Sequence, residues 1–191
     1  MKIYFVDNID AFDESFVETC AAFFPEWRKD GMLRYKFLKG KIQNGLAYLL
    51  LVHALKEEGV FEEMPEFCYN EHGKPYLKNY NGWYFNFSHC RIAVCCVLSK
   101  EEVGVDIEEV KDYKESLAAY ICNEVEIKAL DDSDDIKDEF YKLWTRKEAV
   151  FKLKGSGITK EIKGILNTPN IIIESNKIGN VWLSVAKKSK S

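Results

Sequence analysis

The sequence predicts an α+β fold built from two similar α/β halves, each a small antiparallel sheet with packed helices, over residues 1–100 and 101–191. Three observations predict it. The 191 residues are 47% hydrophobic and 30% charged, which suits one packed domain or two small halves and not a disordered or fibrous chain. Runs with helical spacing and runs that alternate in and out both occur. The order strand, helices, hairpin appears twice, without convincing identity between the two copies. Ligand sites favour the interface of such halves.

The elements follow in order. Lys2–Val6 is short and β-prone. Across Ala11–Phe24, the residues Phe12, Phe16, Val17, Cys20, Phe23 and Phe24 recur at helical spacing, and Pro25 stops the helix. Gly40–Leu55 is a second helix. Glu57–Gly73 is irregular, broken by Gly59, Pro65 and Gly73. Asn81-Gly82 turns into the alternating strand Trp83–Ser88, and Arg91–Leu98, apolar on both faces, is a central strand. Val103–Val110 opens the second half as a strand. Tyr113–Cys122 and Asn123–Leu130 are shorter helices. The acidic stretch Asp131–Asp135 caps a long helix, Ile136–Lys154. Asn170–Glu174 and Asn180–Ala186 form a closing hairpin, and residues 187–191 are expected to fray.

Charge and cysteine usage narrow the function. Lys and Arg number 27 against 31 Asp and Glu, a formal net charge of −4, which argues against a globally basic nucleic-acid binder. The longest apolar stretch, Leu46–Leu55, is interrupted by His53 and falls well short of the ~20 residues that span a membrane. The N-terminus lacks the pattern of a secretory leader. The six cysteines form no CxxC pair and read as reduced thiols in a cytoplasmic protein; adjacent Cys95 and Cys96 should face opposite ways on a strand.

Four patterns carry chemistry. In Gly104-Val105-Asp106-Ile107-Glu108, alternation puts both carboxylates on one strand face. Oxygen-only ligands suit a hard cation such as Mg²⁺, although a solvated strand face has the same pattern. In Trp144–Lys152, helical spacing puts Trp144, Glu148 and Lys152 in one stripe, as an ordinary amphipathic helix also would. If Glu148 faces Asp106 and Glu108, three carboxylates converge and a bound cation offsets their repulsion. In Phe85–His89, Asn86 and Ser88 share a face, and His89 ends the strand, where it can bind phosphate, carry a proton or serve as a structural hydrogen-bonder. Gly73-Lys74-Pro75 presents a Lys on a constrained turn. Between residues 28 and 41, Arg28, Lys29, Arg34, Lys36, Lys39 and Lys41 stand against one acid, Asp30, a local patch for a phosphate or an acidic partner.

In this order, GKPY (73–76), FNFSH (85–89), GVDIE (104–108) and WTRKEAVFK (144–152) resemble the series found in 4′-phosphopantetheinyl transferases of the larger, two-half, surfactin-synthetase-activating type. The resemblance implies a pseudodimer fold. It also implies transfer of the phosphopantetheine arm of coenzyme A to a serine of an apo acyl or peptidyl carrier protein, with adenosine 3′,5′-bisphosphate released. By this resemblance Asp106, Glu108 and Glu148 hold Mg²⁺, and Glu148 is the base. Lys152 meets the pyrophosphate, Ser88 and His89 contact coenzyme A phosphates, and Lys74 lies near the adenine and phosphate end. Arg28 and Lys41 are candidates for the 3′-phosphate. A monomer acting without nucleic acid or membrane is expected. Basic residues at 28–41 and around Lys147–Lys163 are candidates for carrier docking. A metal-dependent phosphohydrolase and an inactive carrier-binding protein of the same fold are the alternatives.

Overall fold

The computed structural model of the chain describes residues 1–156 and 160–189. The first half runs β1 (Lys2–Val6), α1 (Glu14–Phe23), α2 (Glu26–Leu33), α3 (Leu38–Glu57), β2 (Phe67–Tyr69), β3 (Pro75–Leu77), β4 (Tyr84–His89) and β5 (Val94–Ser99). The second runs β6 (Val103–Glu109), α4 (Glu115–Ile121), α5 (Glu124–Asp131), α6 (Ile136–Lys154), β7 (Ile171–Ile178) and β8 (Val181–Lys188). The strands form two three-stranded antiparallel sheets, β1-β5-β4 and β6-β8-β7, and a separate β2-β3 hairpin. Both larger sheets share one connection order: the first strand pairs with the last, which lies in the centre. This is the predicted α+β class.

Local sequence explains where elements start and stop. Asp13 accepts a hydrogen bond from the Ser15 amide and starts α1 three residues after the apolar periodicity begins. Asn123 and Glu126 form a reciprocal capping box on α5. Asp135 accepts from the Asp138 amide at the start of α6, and Gly155, with φ 66°, ends it. Two elements differ from expectation. Glu26–Leu33 forms α2, which Pro25 begins instead of merely ending α1. The β2-β3 hairpin lies in the stretch read as irregular, because strands of three residues leave no alternation to detect. Lys187 and Lys188, expected to fray, pair with Ile172 and Ile171; residues 190–191 lie outside the described residues.

The sheets meet at a common core. Cys95 and Val97 of β5 pack with Val103, Val105 and Ile107 of β6 and with Leu183 and Val185 of β8. Cys96 faces the other way, against Leu51 and Leu55 of α3, so the adjacent cysteines do point to opposite faces. All six cysteines are free. The seam between β4 and β6 is made by side chains: the Val105 amide donates to Asn86 Oδ1 at 2.8 Å and the Ile107 amide to Ser88 Oγ at 3.2 Å. These bonds satisfy an edge that a backbone ladder would otherwise complete. On the other side of β6, α6 sits directly on Gly104, where a Cβ would lie 2.1 Å from the Ala149 carbonyl oxygen and 2.2 Å from the Leu153 nitrogen.

Candidate active site

The close seat of α6 on Gly104 places one turn of that helix over the carboxylate face of β6. Lys152 Nζ donates to Asp106 Oδ1 at 2.7 Å and to Ser88 Oγ at 2.9 Å, and Ser88 Oγ donates to the same Asp106 oxygen at 2.9 Å. Three elements, β4, β6 and α6, thereby meet at one carboxylate. Asp106 is 4% exposed, and its other oxygen, Oδ2, is buried without a hydrogen-bond partner. An orphaned buried anion carries a desolvation cost that a cation or donor would offset.

The neighbouring acids feel the same field. Burial, and then the Asp106 charge, push the Glu108 carboxyl up to about 7, with Glu148 adding to the shift. Burial and Asp106 likewise raise Glu148 above the usual carboxylate range. Burial, with Lys152 nearby, lowers His89 and keeps its imidazole neutral near pH 7. Among the described residues no three His, Cys, Asp or Glu side chains are gathered into a metal cluster. The three carboxylates interact through charge, and Lys152 holds one Asp106 oxygen. The orphaned Oδ2 and the all-oxygen donor set still fit a hard divalent cation.

One cavity opens beside Glu148 and Lys152, and a second adjoins it; Ser88, Asp106 and Glu108 line neither. One, about 250 Å³, is lined by His72, Lys74, Asn86, Phe87, Glu148 and Lys152, among others. The second, about 280 Å³, is lined by Arg28, Arg34, Tyr35, Gln43, Asn44 and His89, among others. Gly73, Pro75 and Phe87 line both, so the turn between β2 and β3, together with Phe87 of β4, is their shared wall. The structure thus brings Lys74, Glu148 and Lys152 to one cavity and Arg28 and His89 to the next. Lys41 lines neither.

Several side chains behave differently from their sequence setting. Arg28 is buried, donates to the Asn44 carbonyl and lies 4.8 Å from the centroid of the Tyr48 ring, with Nε unpaired. Lys39 pairs with Asp10 at 2.7 Å and Lys29 with Glu26 at 3.3 Å, so part of the basic patch is neutralised. Lys74 Nζ turns onto the Leu153 carbonyl at 2.9 Å. Lys147 offers nothing to a docking partner: it is fully buried, donating to the Ile121 and Ile162 carbonyls at 2.8 and 3.0 Å and pairing with Glu126 at 2.6 Å. Residues 157–159 of that candidate docking stretch lie outside the described residues. His72, Tyr35 and Gln43 line the cavities with no sequence signal to mark them. Gln43 also donates to the Cys90 carbonyl at 2.7 Å, just after His89.

Residues 102–190 match the 4′-phosphopantetheinyl transferase superfamily. The chain is 33% identical over 95 residues to the 4′-phosphopantetheinyl transferase Sfp of Bacillus subtilis (strain 168), covering 49% of this chain and 42% of that protein. It is 33% identical over 131 residues to the 4′-phosphopantetheinyl transferase AcpT of Salmonella typhimurium, covering 65% and 61%. It is 27% identical over 157 residues to the 4′-phosphopantetheinyl transferase gsp of Aneurinibacillus migulanus, covering 78% and 65%. The chain is similar to 4′-phosphopantetheinyl transferases, and its residues 102–190 carry the superfamily match. The matches to Sfp and gsp fit the larger, surfactin-activating type. The aligned regions span between 42% and 65% of the length of these curated relatives. The superfamily match contains Asp106, Glu108, Glu148 and Lys152 and starts after Arg28, Lys74, Ser88 and His89. Among the described residues no helix is long and apolar enough to cross a membrane.

Proposed function

We propose that the chain transfers the 4′-phosphopantetheine group of coenzyme A to a serine of an apo acyl or peptidyl carrier protein, in a Mg²⁺-dependent reaction that releases adenosine 3′,5′-bisphosphate. The observation that carries this reading is the bridge from Lys152 to Asp106 and Ser88, with Lys152 and Glu148 lining a cavity that adjoins a second. A nucleotide with a long arm needs two connected spaces and a point of charge where its pyrophosphate crosses between them. Attack on phosphorus asks for charge neutralisation and positioning more than for covalent help.

Each residue then has a task. Asp106, Glu108 and Glu148 would hold Mg²⁺, which when bound supplies charge neutralisation at the pyrophosphate. Glu148, raised by burial, takes the proton of the carrier serine, directly or through a water. The serine oxygen forms its bond to the β-phosphorus as the bond to the bridging oxygen breaks, and Lys152 stabilises the charge on the departing phosphate. His89 is neutral and donates a hydrogen bond to a phosphate oxygen, where a cation is not required. Arg28, which lines the second cavity, takes the 3′-phosphate in this reading. We place the protein in the cytoplasm as a monomer, with coenzyme A and the carrier as partners.

Intact-mass spectrometry tests this. An apo carrier incubated with the protein, coenzyme A and Mg²⁺ should gain one phosphopantetheine, and EDTA should abolish the gain. Bound coenzyme A without any gain across unrelated apo carriers would mark a carrier-docking protein. Hydrolysis of phosphate esters without a carrier would mark a phosphohydrolase.

A further inference from the structure

The β2-β3 hairpin shares no backbone ladder with either three-stranded sheet, and its turn, together with Phe87 of β4, forms the wall shared by both cavities; Lys74 Nζ reaches the Val103 carbonyl of β6 at 3.5 Å. Within the turn, Asn70 Oδ1 accepts from the His72 and Lys74 amides at 3.0 and 2.8 Å, and Gly73 takes φ 83°. The turn is therefore closed by its own first side chain. The other end of that side chain reaches out of the hairpin: Asn70 Nδ2 donates to the Gly155 carbonyl at 2.9 Å, across 85 residues of sequence. Lys74 Nζ donates to the Leu153 carbonyl at 2.9 Å, across 79 residues. Both acceptors are at the C-terminal end of α6, where carbonyls lack helical partners and the dipole favours a cation. The contact is tight: a Cβ at Gly155 would lie 2.9 Å from Lys74 Cδ and 3.0 Å from Asn70 Nδ2.

We propose that Asn70 and Lys74 are positioning residues, a latch that fastens the β2-β3 turn to the end of α6 and so fixes the nucleotide-side wall relative to the helix carrying Glu148 and Lys152. The inference deepens the proposed function and rests on it for the identity of the nucleotide. Neither side chain needs to touch the ligand. The Asn70 and Lys74 bonds fix how far the turn stands from α6, and residues on both sides of that separation line the 250 Å³ cavity. A wall set this way favours coenzyme A binding and leaves carrier binding untouched.

Two variants separate the latch from the turn. Asn70→Asp keeps the acceptor that closes the turn and removes the donor to Gly155. Lys74→Met keeps the apolar stem and removes the ammonium. Each should raise KM for coenzyme A about tenfold, the size of one lost hydrogen bond, with KM for the carrier unchanged and kcat nearly constant. Amide hydrogen exchange should accelerate together at residues 70–75 and 151–156. A uniform loss of active protein would instead lower apparent kcat and leave both KM values alone. Faster exchange with an unchanged coenzyme A KM would reduce these residues to a helix cap and overturn the proposal; unchanged exchange would show that no latch exists. Wild-type protein that neither binds coenzyme A nor transfers would overturn the functional reading, and the exchange data alone would then decide the latch.

Discussion

Lys152 holds Asp106 by a single oxygen, at 2.7 Å, and leaves the second oxygen of that carboxylate buried and unpaired. Removing the lysine strands an anion. Lys152→Met should lower stability by about 2 kcal/mol, below the usual cost of breaking a fully buried pair because Lys152 is partly exposed. Asp106→Asn in the same background should recover much of that loss, since the stranded charge is gone. Urea denaturation of the two single variants and the double variant measures this. Additive losses would show that the two groups do not depend on one another.

Stability should depend on pH through the acids beside this pair. The folded Glu108 carboxyl sits at about 7, above its ordinary value of 4.5, so between those values the folded state binds more protons than the unfolded one. Stability therefore falls as pH rises through that window, and Glu148 adds to the fall. His89 acts oppositely: lowered by burial, it costs stability as pH falls below 6.5. Comparing wild type with Glu108→Gln isolates the carboxyl. Metal-free wild type should lose more thermal stability than the variant between pH 5 and pH 7.5, and Mg²⁺ should raise the melting temperature more at pH 7.5 than at pH 5. Parallel pH profiles would remove Glu108 from the charged cluster.

Glu148→Gln should reduce transfer by about 10²–10⁴-fold, the range of general-base catalysis, with near-native stability. Its carboxyl is raised and its side chain lines the cavity, so the amide fits the space without the proton acceptor. Single-turnover transfer followed by mass spectrometry reads the effect. A variant as fast as wild type would move the base elsewhere.

Gly104→Ala tests the seat of the helix. Backbone atoms of Ala149 and Leu153 occupy the place of the new methyl, so α6 must lift from β6. The expected loss is about 3 kcal/mol, at the upper end of ordinary overpacking, with transfer falling further because Glu148 and Lys152 ride on the displaced helix. Equal stability in thermal denaturation would contradict the close packing.

The parts of the site that were legible in the sequence are those set by local periodicity. Asp106 and Glu108 share a strand face by alternation, and Glu148 and Lys152 share a helix face by four-residue spacing. The α6 limits coincide with those predicted because both ends carry their own capping residues. What was hidden depends on distant chain. Lys147 occupies a helix position indistinguishable by pattern from a solvated lysine, and carbonyls from Ile121 and Ile162 make it a buried knot. Lys74 was readable as a presented cation, but nothing near it in sequence announces that the end of α6 lies within reach. Arg28 looked like one of six basic residues until α3 and Tyr48 enclosed it.

The side-chain seam between β4 and β6 has a consequence for how the molecule comes together. A ladder of backbone bonds can slide by two residues and find equivalent partners. A joint made by Asn86 and Ser88 cannot, because any other alignment presents different side chains to the Val105 and Ile107 amides. Ser88 is also the hydroxyl held between Asp106 and Lys152. The alignment that closes the joint is thus the one that assembles the charged centre, and a chain with its sheets misaligned would lack that centre altogether.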